Sequence, residues 1–167
     1  MDTFYIAAYI AKSRTDRKIR RWDKLVSWVD GSIYSHAELV LAKMEDGTFI
    51  CASSSVRDGG VRFKRMLLDP THWDLFPVQG NRAYAVEWMR RRLGRRYDWI
   101  GLARTRYHWV PDSQTRYFCT EAVAGMLGLE NPARYGPRKL VAWAIEQGNL
   151  TRDLPELPKD LPITVPL

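Results

Sequence analysis

Two runs of strand character face each other across Asp46-Gly47, and they limit what the rest of the chain can become. The first runs from Ser35 to about Met44 and the second from Thr48 to Ser55, both rich in apolar, branched and small residues. Asp-Gly is the dipeptide of a two-residue hairpin turn. A lone hairpin is barely stable in water, so it needs more strands and a packing layer. Phe4 to Ala11 reads as a buried strand, Val61 to Met66 alternates apolar with basic residues, and Trp73 to Val78 is a further strand whose Pro77 suits an edge. Apolar residues at helical spacing occupy 16–29 (Ile19, Trp22, Leu25, Val26, Val29), 81–94 (Ala83, Val86, Met89, Leu93, with Asn81 as cap and Gly94 as stop), 119–128 and 137–148 (Leu140, Val141, Ala144, Ile145). Strands gathered in the middle with helices towards both ends predict an α+β fold, a central antiparallel sheet packed by helices.

Side chains alternate across a strand, so His36, Glu38 and Val40 share one face and Ala37, Leu39 and Leu41 the other. If Asp46-Gly47 sets the register, Glu45 pairs with Thr48, Val40 with Ser53 and Glu38 with Ser55. Ser53 and Ser55 then project from the same face as His36.

The stretch Tyr117-Phe118-Cys119-Thr120-Glu121-Ala122-Val123 places a cysteine where an apolar helix begins after a polar loop. Ala122, Val123, Met126 and Leu127 carry the helical spacing, and Gly128 stops it. Free N–H groups and the positive dipole end at a helix start favour thiolate over thiol. A cysteine also serves as a small buried hydrophobe, and what separates the two readings is a base. Of the three histidines, His72 and His108 sit beside prolines and tryptophans in loops, which leaves His36 as the base for Cys119.

At 167 residues the chain suits a single domain over 1–150, followed by a Pro-rich extended tail over 151–167. The start of the chain lacks the pattern of a secretory signal and no apolar run spans a bilayer, which predicts a cytoplasmic protein of a bacterium or of a virus-infected cell. In that setting Cys51 and Cys119 stay reduced. No Cys or His spacing points to zinc, and no residue pattern calls for a cofactor. The net charge of +7 is concentrated in Lys12, Arg14, Arg17, Lys18, Arg20, Arg21 and Lys24, and in Arg82, Arg90, Arg91, Arg92, Arg95, Arg96, Arg104 and Arg106. Such faces fit nucleic acid or an anionic surface, and equally a solvated helix. Oligomeric state is left open by these residues.

The series from Leu25 to His36, then Leu93-Gly94-Arg95-Arg96-Tyr97-Asp98, then Phe118-Cys119-Thr120-Glu121, resembles the circularly permuted papain-like cysteine hydrolases, the YiiX-like branch of the NlpC-type superfamily. The resemblance implies that Cys119 is the nucleophile and His36 the base, with a polar residue on the following strand orienting the imidazole. This chain departs there: Cys51 stands where that group is expected, so Glu38, Ser53 or Ser55 must substitute. Asp98 reads as a structural residue bonding backbone near the nucleophile helix. The implied activity is amide hydrolysis through a thioacyl-enzyme, on a peptide or peptidoglycan fragment. Lipid esters are the second substrate class, with tryptophans as an acyl-binding wall, and a non-catalytic basic binding module is the alternative of another kind.

Overall fold

The computed structural model describes residues 1–11, 32–101 and 113–147. The helix expected over 16–29, the basic cluster Lys12 to Lys24, Arg104, Arg106, His108, most of the Tyr107 to Thr115 loop and the tail over 151–167 lie outside the described residues.

Among the described residues seven strands form one sheet: β1 (Asp2–Ile10), β2 (Tyr34–Lys43), β3 (Phe49–Ser55), β4 (Gly60–Met66), β5 (Trp73–Gly80), β6 (Arg96–Tyr97) and β7 (Arg116–Tyr117). Their spatial order is β5-β1-β2-β3-β4-β6-β7, antiparallel except for the parallel β6–β7 pair. The edge position of β5 accommodates Pro77, which has no N–H to give a further strand. Among the described residues there are three α-helices: α1 (Arg82–Arg90), α2 (Cys119–Met126) and α3 (Pro137–Gln147). A 3₁₀ turn at Pro132–Arg134 lies between the last two.

The hairpin register differs from the expected one, for two reasons that add. Met44 N–H bonds to Thr48 O and Gly47 N–H to Met44 O, so the turn is wider than two residues, and Lys43 pairs with Phe49. A bulge between Val40 and Ala42 then takes up one more residue of β2. Val40 therefore faces Cys51 instead of Ser53. Because side chains repeat every second residue, this combined shift preserves which face each residue occupies.

The helices cover one face of the sheet, where Phe4, Ile6, Leu39, Leu41, Met89, Val123, Met126 and Leu140 share a core. The opposite face buries Tyr5, Ala7, Val40, Cys51 and Leu68. Asn81 caps α1 as expected, its side chain accepting from Tyr84 N–H at 2.9 Å. The inner face of α1 is Ala85, Trp88 and Met89, whereas Ala83 and Leu93 are exposed. The helix stops at Arg90, so Leu93 belongs to the turn that ends at Gly94 (φ 76°) and no longer follows the helical repeat. Trp88 sets the phase by packing onto α2 at Gly125, where a Cβ would lie 2.4 Å from its ring. On α3, Leu140, Val141 and Ala144 are buried but Ile145 is exposed. Among the described residues no helix is long and apolar enough to cross a membrane.

Candidate active site

Every residue of α2 is buried, so its start cannot move without disturbing the core. Phe118 enters extended, and its N–H is taken by the Glu121 carboxylate one turn on, at 3.3 Å. The Thr120 hydroxyl donates to Tyr135 O. These two contacts fix where Cys119 points.

It points at β2. The β2–β3 ladder runs from Lys43 and Phe49 to Leu39 and Ala52. Beyond that end, the Ala37 backbone finds other partners: its N–H donates to the Cys119 sulfur, and its carbonyl accepts from the Ser53 hydroxyl at 2.7 Å. Ser54 reaches Tyr117 O at 2.6 Å, so β3 holds the approach to the helix as well. Ser53 thus occupies the junction of strand and helix, 3.5 Å from Cys119 O, but its hydroxyl is directed to backbone and does not orient the imidazole. A buried hydroxyl with a bonded carbonyl is a structural group by this geometry.

The imidazole contact is made by Glu38. His36 Nε2 lies 2.7 Å from Glu38 Oε1, and the Cys119 thiol is hydrogen-bonded to the same imidazole. With Nε2 engaged by Glu38, Nδ1 is the nitrogen available to the sulfur. The His36 side chain is 24% exposed, while Glu38 and Cys119 are each 1% exposed, so solvent reaches the group from the histidine side. Tyr9 pairs with His36 across the sheet, and the Trp73 ring meets the imidazole edge-on at 6.2 Å between centroids.

Electrostatics separate the two cysteines. Burial opposes charge on Cys119, yet the His36 hydrogen bond and charge, with the N–H groups of Ala37 and Thr120, outweigh it and pull the thiol below its ordinary pKa. Burial likewise opposes charge on His36, but the bonds and charges of Cys119 and then Glu38 raise its pKa to about 10. The two shifts run in opposite directions and each draws on the partner's charge, so contact between sulfur and imidazole favours the thiolate–imidazolium form. Cys51 has no base beside it: burial, reinforced by the Glu38 charge and offset only in part by that of Arg62, pushes its thiol well above the usual range.

Two residues of the site were not singled out for it by sequence. The Tyr97 phenol meets Cys119 twice, at the side chain and at the backbone N–H. Burial, then the neighbouring Cys119 charge, raises the Tyr97 pKa well above normal, which keeps the phenol a neutral O–H. Its stretch, Gly94 to Asp98, carries part of the resemblance, but nothing in its local pattern marks a site. Arg62 holds both oxygens of Glu38. By sequence Arg62 is only the basic half of an alternating strand, because its partner lies two strands away. Asp98 takes a structural place, accepting from Ile100 N–H at 3.1 Å while its own N–H bonds to Tyr117 O. His72 sits by Asp69 and Thr71 in the turn before β5, stacked on Tyr9. Among the described residues no group of three or more His, Cys, Asp or Glu side chains converges as a metal ion would need.

No protein-family model matches the chain, and no curated protein or solved structure matches it.

Proposed function

We propose that the protein is a thiol hydrolase with a permuted papain-like arrangement, cleaving an amide bond through a thioacyl-enzyme. The observation that carries this reading is the hydrogen-bonded series Cys119–His36–Glu38, in which a helix-start sulfur meets an imidazole held from behind by a carboxylate. Nucleophile, base and orienting group in contact are what covalent acyl transfer requires.

The Cys119 thiolate attacks the carbonyl carbon, and the π electrons move to oxygen. The resulting oxyanion takes over the Cys119 N–H from the Tyr97 oxygen, and the Tyr97 O–H turns to it as a second donor. Collapse breaks the C–N bond, and the His36 imidazolium gives its proton to the departing nitrogen. Water, deprotonated by His36, then attacks the thioester; the C–S bond breaks, the acid leaves, and the sulfur returns as thiolate beside the His36 imidazolium. Glu38 stays ionised throughout and holds the imidazole in one orientation. The amide preference rests on the sequence resemblance.

Lipid esters are a second reading, favoured by exposed Leu93, Trp99 and Ile100 beside exposed Arg95 and Arg96. Trp99 packs edge-on against Tyr97, with 5.2 Å between ring centroids, and the Tyr97 phenol in turn meets Cys119. Incubation with labelled cell-wall peptide and with labelled phospholipid separates the two. Release of amine from the peptide, abolished by Cys119→Ala in a folded protein, is the expected result; acyl release from phospholipid alone rejects the amidase reading. If neither is turned over and iodoacetamide modifies Cys119 no faster than Cys51, the binding-module alternative stands instead.

A further inference from the structure

Glu38 is 1% exposed, and a carboxylate so deeply placed tends to take up a proton and become neutral. As a neutral acid it would give an imidazolium little support. Arg62, reaching from β4 past β3, counters this: Nη1 donates to Glu38 Oε2 at 2.7 Å and Nη2 to Oε1 at 2.5 Å. The guanidinium is itself only 14% exposed and is fixed from the other side, where Nε donates to Asp58 Oδ2 at 2.8 Å. Lys64 holds the second Asp58 oxygen, also at 2.8 Å.

We propose that Arg62 is a positioning residue of the reaction: its planar fork fixes both Glu38 oxygens so that Oε1 remains turned to His36, and Asp58 fixes the fork in turn. The proposal rests on the hydrolase reading. Arginine suits the role because two parallel N–H bonds fix the plane of the carboxylate as well as its charge. A lysine supplies the charge alone. The titratable groups facing this series are His36 beside Glu38 on β2, Cys51 from β3, and Asp58 and Lys64 behind Arg62. At the sulfur end they are His36 and Tyr97, with Asp98 next to Tyr97.

The test reads the thiolate directly and needs no substrate. Alkylation of Cys119 by iodoacetamide is followed site by site by mass spectrometry across pH for the wild type, Arg62→Met, Arg62→Lys, Asp58→Asn, Glu38→Gln and the Arg62→Met/Glu38→Gln double variant, with near-UV circular dichroism to confirm folding. Arg62→Met should slow labelling at neutral pH at least about tenfold and move its pH profile towards that of an ordinary thiol. Arg62→Lys should restore part of the rate. The double variant should be no slower than either single one, since both break the same series. An unchanged profile in folded Arg62→Met, or fully additive losses, overturns the proposal. Should Arg62→Met fail to fold, unchanged profiles in both Arg62→Lys and Asp58→Asn do so. A wild-type Cys119 that labels as slowly as Cys51 overturns the hydrolase reading itself, and Arg62 as its positioning residue with it.

Discussion

His36 Nε2 and Glu38 Oε1 lie 2.7 Å apart although they are only two residues apart on one strand. Strand alternation puts them on the same face, and neither needs a loop to find the other. The carboxylate in contact with the imidazole therefore comes from the histidine's own strand, while Cys51 on the neighbouring strand is buried with its thiol pushed well above the usual range.

Replacing Glu38 by Gln should lower the turnover attributed to Cys119 by about 10²-fold or more, because the amide neither carries the charge that steadies the imidazolium nor fixes the ring as firmly. It should also cost about 1–3 kcal/mol of stability, since Arg62 would lose one of its two carboxylates and keep only Asp58. Steady-state kinetics together with urea unfolding measure both effects. Full activity in a folded Glu38→Gln protein would leave the carboxylate no part in the chemistry.

The pH dependence follows from two opposite shifts. His36 is raised from 6.5 to about 10 in the folded protein, so its contribution to stability is complete below pH 6.5 and disappears as pH rises through about 10. Cys119 is lowered, so the thiolate contributes above the ordinary thiol range and is lost as pH falls through its depressed value. The pH profile of Cys119 alkylation should therefore lie at lower pH than that of an ordinary thiol, and thermal unfolding temperature should decline on the alkaline side near pH 10. His36→Ala should return the alkylation profile to that of a normal thiol; an identical profile would contradict the ion pair.

Tyr97→Phe removes only the hydroxyl next to the Cys119 N–H. If that hydroxyl is a donor to the oxyanion, kcat should fall by about 10²-fold. Iodoacetamide labelling, which forms no oxyanion, should change far less. Equal losses in both measurements would assign Tyr97 to thiolate formation instead.

Gly125→Ala should destabilise the fold by about 1–3 kcal/mol, because the new methyl would lie 2.4 Å from the Trp88 ring and force α1 and α2 apart. Thermal melting reports the loss. Since α2 carries Cys119 at its other end, reduced alkylation should accompany the lower melting temperature.

The amino-acid sequence by itself determined the local parts of this protein. Alternation placed His36 with Glu38, helical spacing started α2 at Cys119, Asn81 capped α1, and Pro77 marked an edge strand. These features depend on residues within a few positions of one another, so backbone geometry is enough to reveal them. Tertiary structure decided the rest: Val40 opposite Cys51 through a wider turn and a bulge, Ser53 bonded to Ala37 instead of His36, Trp88 setting the phase of α1, Arg62 on Glu38 and Tyr97 on Cys119. One extra residue in a bulge changes which side chains stand opposite each other, and no periodicity records it. A guanidinium on β4 meets a carboxylate on β2 only after the strand between them is laid down, because the contact belongs to the order of the sheet and not to the order of the chain.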